Sequence, residues 1–185
     1  AGDAPSAAAV ISSRSLVLVS DAMLAHPTQL ELQRSGCSLV YCLAAESDEG
    51  CEAIRAVRGI DALVGAVRGH CACLALVADA CGALCCLASC RDMETVERVI
   101  ESRAVDAVVE VMVAHPQEGS VQRRGCALLA MLAAFDDEVS AAVMAHGAPA
   151  LAVKAIAGHP SDPGVLRTAS ALLLAAWPFD PLPRP

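Results

Sequence analysis

Two residue types recur along this chain at an almost constant interval. Histidines separated by 44, 45 and 44 residues occur at His26, His70, His115 and His159. Eleven residues after each histidine, the same spacing places Cys37, Cys81, Cys126 and Ser170. A fixed period between about 20 and 50 residues is typical of a solenoid, whose units bury their apolar faces only by stacking on one another. The spacing therefore predicts a repeat protein.

The composition favours helices packed around small apolar side chains. The chain is 56% hydrophobic but only 2% aromatic, so its core is built mainly from Ala, Leu, Val and Cys, which let helices approach one another closely. The longest apolar stretches, such as 126–135, are shorter than the roughly 20 residues that a membrane span needs. We therefore expect an all-α protein without a membrane span, and we predict no secretory signal because the apolar patch at 7–11 lacks a basic leader.

The cysteines indicate the cellular compartment, and the net charge limits the kinds of partner. Most of the ten cysteines lie within apolar helical runs, where Cys packs as a small hydrophobic residue. We therefore predict reduced thiols and an intracellular, most simply cytoplasmic, protein. Acidic residues outnumber basic residues by 21 to 13, giving a formal charge of −8. This balance disfavours general nucleic-acid binding, which requires a basic surface.

Aligned on the histidines, each unit divides into three predicted helices. A short first helix begins at an acidic cap, because Asp accepts the free N–H groups of a first turn; the caps are Asp48, Asp92 and either Asp136 or Asp137. The predicted first helices are 49–58, 93–103 and 138–146. The second helices are 16–25, 60–69, 104–114 and 148–158, and each ends at a histidine that caps it. The third and longest helices are 30–45, 74–89, 120–135 and 165–177.

The second and third helices of two consecutive units share a sequence pattern. Residues 59–64 read G-I-D-A-L-V and 77–88 read V-A-D-A-C-G-A-L-C-C-L-A. The following unit reads A-V-D-A-V-V at 104–109 and V-Q-R-R-G-C-A-L-L-A-M-L-A at 121–133. These segments resemble the armadillo repeat. The resemblance implies a right-handed α-α superhelix of about four three-helix repeats, whose third helices line a concave groove. The repeat domain would cover 1–177, in units of approximately 1–46, 47–90, 91–135 and 136–177, followed by a Pro-rich extended tail at 178–185.

The resemblance also identifies candidate groove positions. In the importin-α type, the third helix offers a Trp and, four residues later, an Asn that binds the ligand backbone. The Trp positions correspond here to Ser38, Gly82, Ala127 and Ala171, and the Asn positions to Cys42, Cys86, Met131 and Ala175. Neither Trp nor Asn is present at them, which disfavours nuclear import of that kind. Their small apolar residues suit a close-packed helix or another protein surface.

A third row of the same helices carries arginines. It lies one turn before the Trp positions and contains Arg34, Ala78, Arg123 and Arg167. Arginines along a groove could pair with acidic side chains of a partner. The alternative is that they are solvated side chains that keep long helices soluble.

No metal, cofactor or catalytic site is predicted. Histidines one unit apart lie on the order of 10 Å from one another, too far to share one zinc ion. The segment His70-Cys71-Ala72-Cys73 offers three potential ligands but no visible fourth, so loop packing is the preferred interpretation. The cysteines of 81–90 are interpreted as core, and the carboxylates fall at helix starts, where caps are expected.

The sequence thus predicts a non-enzymatic scaffold, a subunit or adaptor of an intracellular assembly that binds other proteins in its groove. The expected ligand is an acidic peptide or a helix, and neighbouring subunits are expected to cover the ends of the solenoid unless the chain is part of a longer one. One alternative is a karyopherin-like transport adaptor for acidic or helical cargo. A more remote alternative is a redox-responsive or metal-responsive module that uses the cysteines.

Overall fold

The computed structural model describes residues 15–90 and 92–176, which form eleven helices and no strand. In chain order the helices are α1 (Ser15–Ala25), α2 (Leu30–Glu46), α3 (Asp48–Ala56), α4 (Gly59–Gly69), α5 (Leu74–Ser89), α6 (Met93–Glu101), α7 (Ala104–Ala114), α8 (Gly119–Ala133), α9 (Asp137–Ala145), α10 (Ala148–Gly158) and α11 (Pro163–Ala176). The all-α prediction is confirmed. The predicted unit boundaries stay predictions, and the Pro-rich segment 178–185 and any first helix within 1–14 lie outside the described residues.

The helices follow the predicted order within each unit. First helices are α3, α6 and α9, second helices are α1, α4, α7 and α10, and third helices are α2, α5, α8 and α11. Consecutive third helices pack on one another along the solenoid, and so do consecutive second helices. Among the described helices, none is by itself long and apolar enough to cross a membrane. Helices α9 and α10 pass that test only as a pair, and they are bent by 63°.

Side-chain caps begin the first helices. The Asp92 carboxylate accepts a hydrogen bond from the Thr95 N–H at 3.0 Å, and the Asp136 carboxylate accepts one from the Val139 N–H at 2.8 Å, as predicted. The prediction for Asp48 is wrong. Asp48 is the first residue of α3, and the Ser47 hydroxyl caps that helix by accepting from the Gly50 N–H at 3.1 Å. Both residue types satisfy a free N–H of the first turn.

The histidines do more than end the second helices. At His70 and His159 the backbone N–H bonds the last turn of the preceding helix, as expected for a C-cap. Their rings, however, reach the preceding unit: His70 Nε2 lies 2.7 Å from the carbonyl oxygen of Pro27, and His159 Nε2 lies 3.0 Å from that of Pro116. In each case the ring contacts a carbonyl of the loop that follows the second helix of the preceding unit. These two histidines therefore join consecutive units.

Three of the four cysteine-row positions are buried as predicted. Cys37, Cys81 and Cys126 are at most 2% exposed. The prediction for Ser170 is wrong, because Ser170 is exposed. This row faces the following unit, as the proximity of Cys37 to Cys81 shows. No unit follows α11 in the described residues, so Ser170 remains uncovered.

Buried glutamines fasten two of the third helices to the second helices. The Gln33 side-chain amide donates to the carbonyls of Met23 at 2.7 Å and His26 at 3.0 Å. Gln122 makes the same pair of bonds, to Met112 at 2.8 Å and His115 at 3.0 Å. The Met23 and Met112 carbonyls belong to the last turns of α1 and α7, where carbonyls lack intrahelical partners. The glutamine bonds therefore fix α2 and α8, which carry candidate groove residues.

Candidate functional site

The candidate groove residues lie mostly on one accessible surface, the third-helix face, which we define as the exposed and half-buried side chains of α2, α5, α8 and α11. The exposed candidates are Arg34, Cys42, Arg123, Arg167 and Ala171. The half-buried candidates are Ser38, Cys86, Ala127, Met131 and Ala175. Gly82 is buried. The helical phase inferred from the sequence therefore describes this surface at every candidate position except Gly82.

An open cleft separates α2 from α5 on the third-helix face. It has a volume of about 420 Å³, and its lining includes Arg34, Ser38 and Cys42, one from each of the three rows. Asp79, on the α5 side, was not singled out by the sequence analysis. Its carboxylate places a negative charge in the same cleft as Arg34. A ligand that enters here thus meets one positive and one negative group.

Gly82 is covered by a side chain from the next unit. The guanidinium carbon of Arg124 lies 5.0 Å from the centroid of the Tyr41 ring, within the range of a cation–π interaction. Arg124 belongs to α8 and Tyr41 to α2, so the arginine side chain crosses α5 to reach the ring. A Cβ atom at Gly82 would overlap the guanidinium and lie 2.8 Å from Tyr41 Cε2.

The prediction that Gly82 faces an open groove is therefore wrong, because it forms the floor beneath Arg124. Sequence reasoning missed this bridge from Arg124 over Gly82 to Tyr41, because the three residues come from three different units. The only signal was a lone tyrosine followed one unit later by a residue without a side chain.

The three arginines of the predicted row remain available to a ligand. Arg34 makes a long ion pair of 3.6 Å with Glu31 of its own helix, and 54% of its side chain is exposed. Such exposed pairs are worth about 0–1 kcal/mol, so a partner's carboxylate can replace Glu31. Arg123 packs beside Gly164 and adds its positive charge near Asp162.

The Asp162 carboxylate belongs to the start of α11. Hydrogen bonds from the Val165 and Gly164 N–H groups lower the pKa of Asp162, and the charge of Arg123 lowers it further. The carboxylate oxygen accepts these bonds at 3.1 and 2.8 Å. Asp162 thus caps its own helix through these hydrogen bonds. The exposed Arg123 acts on the Asp162 carboxylate only through its nearby charge.

The third helices carry a different charge from the rest of this acidic chain. They contain four arginines, Arg34, Arg123, Arg124 and Arg167, and three carboxylates, Glu31, Glu46 and Asp79. The first helices contain two arginines, Arg55 and Arg98, and eight carboxylates, Asp48, Glu49, Glu52, Glu94, Glu97, Glu101, Asp137 and Glu138. The third helices therefore carry a net charge of +1, whereas the first helices carry a net charge of −6.

The buried thiols are poor nucleophiles. All ten cysteines are free, and burial raises the pKa of Cys37, Cys81 and Cys126 to about 12. A thiol with so high a pKa is protonated at neutral pH, and it is the thiolate that reacts or binds metal. Cys42 and Cys71 are exposed.

The structure also tests the segment with three potential metal ligands. Within residues 15–90 and 92–176, no three His, Cys, Asp or Glu side chains are grouped so that they could hold a metal ion. The His70 ring instead contacts the Pro27 carbonyl. Cys73 is half-buried and directly precedes α5.

Comparison with known proteins identifies the architecture. No protein-family model matches the chain, and no curated protein matches it. Two solved structures share its fold: a crystal structure of an engineered protein from a structural genomics consortium, with a TM-score of 0.80 at 20% identity, and a designed armadillo repeat protein in complex with the peptide (KR)4, with a TM-score of 0.77 at 17% identity. Each similarity covers 92% of this chain, which spans 66% and 68% of the respective proteins. The fold is an armadillo-type solenoid, as the sequence motifs implied.

Proposed function

We propose that this chain is a non-enzymatic scaffold that binds an acidic segment of another protein along its third-helix face, as a subunit or adaptor of a larger intracellular assembly. The observation that carries the proposal is the set of exposed arginines, Arg34, Arg123 and Arg167, on one face of a chain with a formal charge of −8. Charge complementarity of this kind governs partner choice and the rate of association.

The designed armadillo protein supports the proposal by contrast. That protein is bound to (KR)4, a peptide made only of Lys and Arg. In the present chain the same architecture places arginines on the third-helix face. Like charges across an interface disfavour association. The preferred ligand here should therefore have the opposite charge to (KR)4.

The small side chains of the face favour a helical ligand. Ala127, Ala171 and Ala175 expose little beyond their backbone and methyl groups, which lets an amphipathic helix approach closely. An extended peptide would need side-chain donors and acceptors for its backbone groups, and the Asn positions of the importin-α type hold Cys42, Cys86, Met131 and Ala175 here. We therefore propose an acidic amphipathic helix as the ligand. The ten free thiols support the proposed intracellular location.

The test uses two peptides and two matched variants. The probes are a helical peptide of Glu, Ala and Leu with one acidic face, and (KR)4. The first variant is Arg34→Gln/Arg123→Gln/Arg167→Gln. The control, Arg58→Gln/Arg68→Gln/Lys154→Gln, removes the same charge from exposed side chains of other surfaces. Association rates are measured across a salt series, because salt screens exposed charges beyond a Debye length of about 8 Å at physiological ionic strength.

The parent should bind the acidic peptide fastest at low salt and bind (KR)4 poorly. The first variant should associate at least about tenfold more slowly at low salt, with a flatter salt dependence, because steering by charge can change rates by roughly 10- to 1,000-fold. The control should behave like the parent. The proposal is wrong if the first variant binds as fast as the parent at every salt concentration.

A further inference from the structure

The first helices of consecutive units meet at two outer joints, and two arginines close one of them. At the joint between α3 and α6, Arg55 forms an ion pair with the Asp92 carboxylate and donates a hydrogen bond of 2.9 Å to the Thr95 hydroxyl. Arg98 of α6 donates back to the Arg55 carbonyl at 2.9 Å. The two side chains span the joint in opposite directions.

The joint between α6 and α9 lacks both arginines. Arg55 lies eight residues after the N-cap of its helix, Ser47, and the eighth residue after the N-cap Asp92 is Ile100. Arg98 lies six residues after Asp92, and the sixth residue after the N-cap Asp136 is Ala142. The two positions that seal the first joint are thus apolar and shorter at the second.

A cleft of about 390 Å³ occupies the space at the second joint. Its apolar lining comes from Met93, Ile100, Val139 and Ala142. Met93 is a large apolar side chain that is 51% exposed. A cleft of this kind can take an apolar side chain of a partner, because burial of apolar surface favours association.

The polar residues around this cleft are all acidic. Its lining includes the exposed carboxylates of Glu97, Glu101, Asp136 and Glu138, and no basic residue. Asp136 caps α9 as Asp92 caps α6, but among the described residues it forms no salt bridge comparable to that between Arg55 and Asp92. Within the described residues, the carboxylates at the rim of the cleft thus form no salt bridge, and they surround an apolar floor.

Basic side chains beside the joint do not line this cleft: Arg58 and Arg98 share a separate depression with Glu101. Ile100 and Ala142 also border a separate depression that contains Arg103, Asp106 and His146. There Arg103 Nε lies 2.6 Å and His146 Nε2 lies 2.7 Å from the Asp106 carboxylate. These groups satisfy one another, so they do not neutralise the acidic rim.

We propose that the cleft between α6 and α9 binds a basic amphipathic helix of a partner protein. An apolar side chain of the partner enters between Ile100 and Val139, and its Lys or Arg side chains pair with Glu97, Glu101 and Asp136. A partner's arginine there takes the place that Arg55 has at the sealed joint. This site lies on the first helices, whereas the proposed site for the acidic partner lies on the third helices.

The test uses a defined peptide and variants matched to the sealed joint. The probe is a 16-residue peptide with Leu on one helical face and Lys or Arg on the other, and a scrambled peptide of the same composition serves as its control. Ile100→Arg places at the open joint the residue type that seals the other joint. Glu97→Gln/Glu101→Gln removes two rim charges at exposed positions. Glu49→Gln/Glu52→Gln removes two charges from α3, away from the cleft.

The parent should bind the amphipathic peptide more tightly than the scrambled one. Ile100→Arg should weaken binding at least about tenfold, which corresponds to 1.4 kcal/mol, and should keep the helical content and melting temperature of the parent. Glu97→Gln/Glu101→Gln should weaken binding and reduce its salt dependence, whereas Glu49→Gln/Glu52→Gln should not. The proposal is overturned if the parent does not bind the peptide, if both peptides bind equally, or if Ile100→Arg and Glu97→Gln/Glu101→Gln both bind like the parent.

Discussion

The third helices and the first helices form two surfaces of one solenoid, and they differ in length, support and charge. Helix α5 has 16 residues and buries side chains along its whole length, whereas α9 has nine residues and buries Val143 alone. The third helices pack on one another directly. At the first joint, the first helices meet through the side chains of Arg55 and Arg98. The former surface is thus a rigid base with exposed arginines, and the latter is an acidic surface held by individual polar bonds.

This difference shows which parts of a repeat determine the fold and which parts are available to bind a partner. Residues that recur, such as Cys37 and Cys126, are buried between units. At the joints between first helices the repeat is broken: the half-buried Ile100 stands where Arg55 stands one unit earlier. Changes at the recurring buried positions should therefore mainly lower stability, whereas changes at exposed positions such as Arg34, Arg123 and Arg167 should mainly alter binding.

The largest effect on stability is expected beneath the third-helix face. Gln122→Met removes a buried hydrogen bond to the Met112 carbonyl and a partly buried one to the His115 carbonyl, and it leaves the Met112 carbonyl without its amide donor. The free energy of unfolding should fall by about 1–3 kcal/mol, measured by urea denaturation. The control, Gln117→Met, changes an exposed residue and should shift it by no more than about 0.5 kcal/mol. Equal effects of the two variants would show that the glutamine bonds do not support the face.

An intermediate effect is expected at the floor of the third-helix face. Gly82→Leu must displace the Arg124 guanidinium from the Tyr41 ring, so it should lower the free energy of unfolding by about 1 kcal/mol. Ala127→Leu, at the half-buried equivalent position of the next unit, should have a smaller effect on stability and still obstruct the acidic peptide. Thermal unfolding and the chemical shifts of the Tyr41 ring would distinguish the two. An unchanged Tyr41 environment in Gly82→Leu would argue against the bridge.

The smallest effect is expected on the outer surface and depends on pH. Hydrogen bonds from the Thr95 hydroxyl and N–H lower the pKa of Asp92, and the charge of Arg55 lowers it further. Because the folded pKa lies below the unfolded value of about 3.9, this stabilisation is present above that value and is lost as pH falls through the folded pKa. Denaturation at pH 5 and pH 2 should show a smaller loss of stability in Asp92→Asn than in the parent. A loss of the same size in both would exclude a contribution from Asp92.

The repeat architecture could be predicted because its determinants are local and recur. Proline after His26 ends a helix, Asp92 begins one, and the 44-residue spacing brings Cys37 against the following unit. The errors arose where a neighbouring residue or unit decides the outcome. Ser47 competes with Asp48 for one cap, and Ser170 is exposed because no described unit covers it.

The candidate site was only partly predictable for the same reason. Helical phase alone identified the accessible positions of Arg34, Arg123 and Arg167. The bridge from Arg124 to Tyr41 depends on contacts between residues more than 80 positions apart. The cleft at Ile100 depends on the absence of a side chain that is present in the neighbouring unit. Such features follow from tertiary packing and not from any local pattern.

The most direct test of two oppositely charged binding surfaces is a titration with both peptides together. The labelled acidic peptide is titrated alone and then in the presence of saturating basic amphipathic peptide, at a peptide concentration where the two do not bind each other. We expect the two peptides to bind simultaneously, with each Kd changed by less than about twofold, since the sites lie on separate helices and coupled sites typically show changes of about 5-fold or more. Competition between the peptides, or loss of both by Arg34→Gln/Arg123→Gln/Arg167→Gln, would contradict the existence of two independent surfaces.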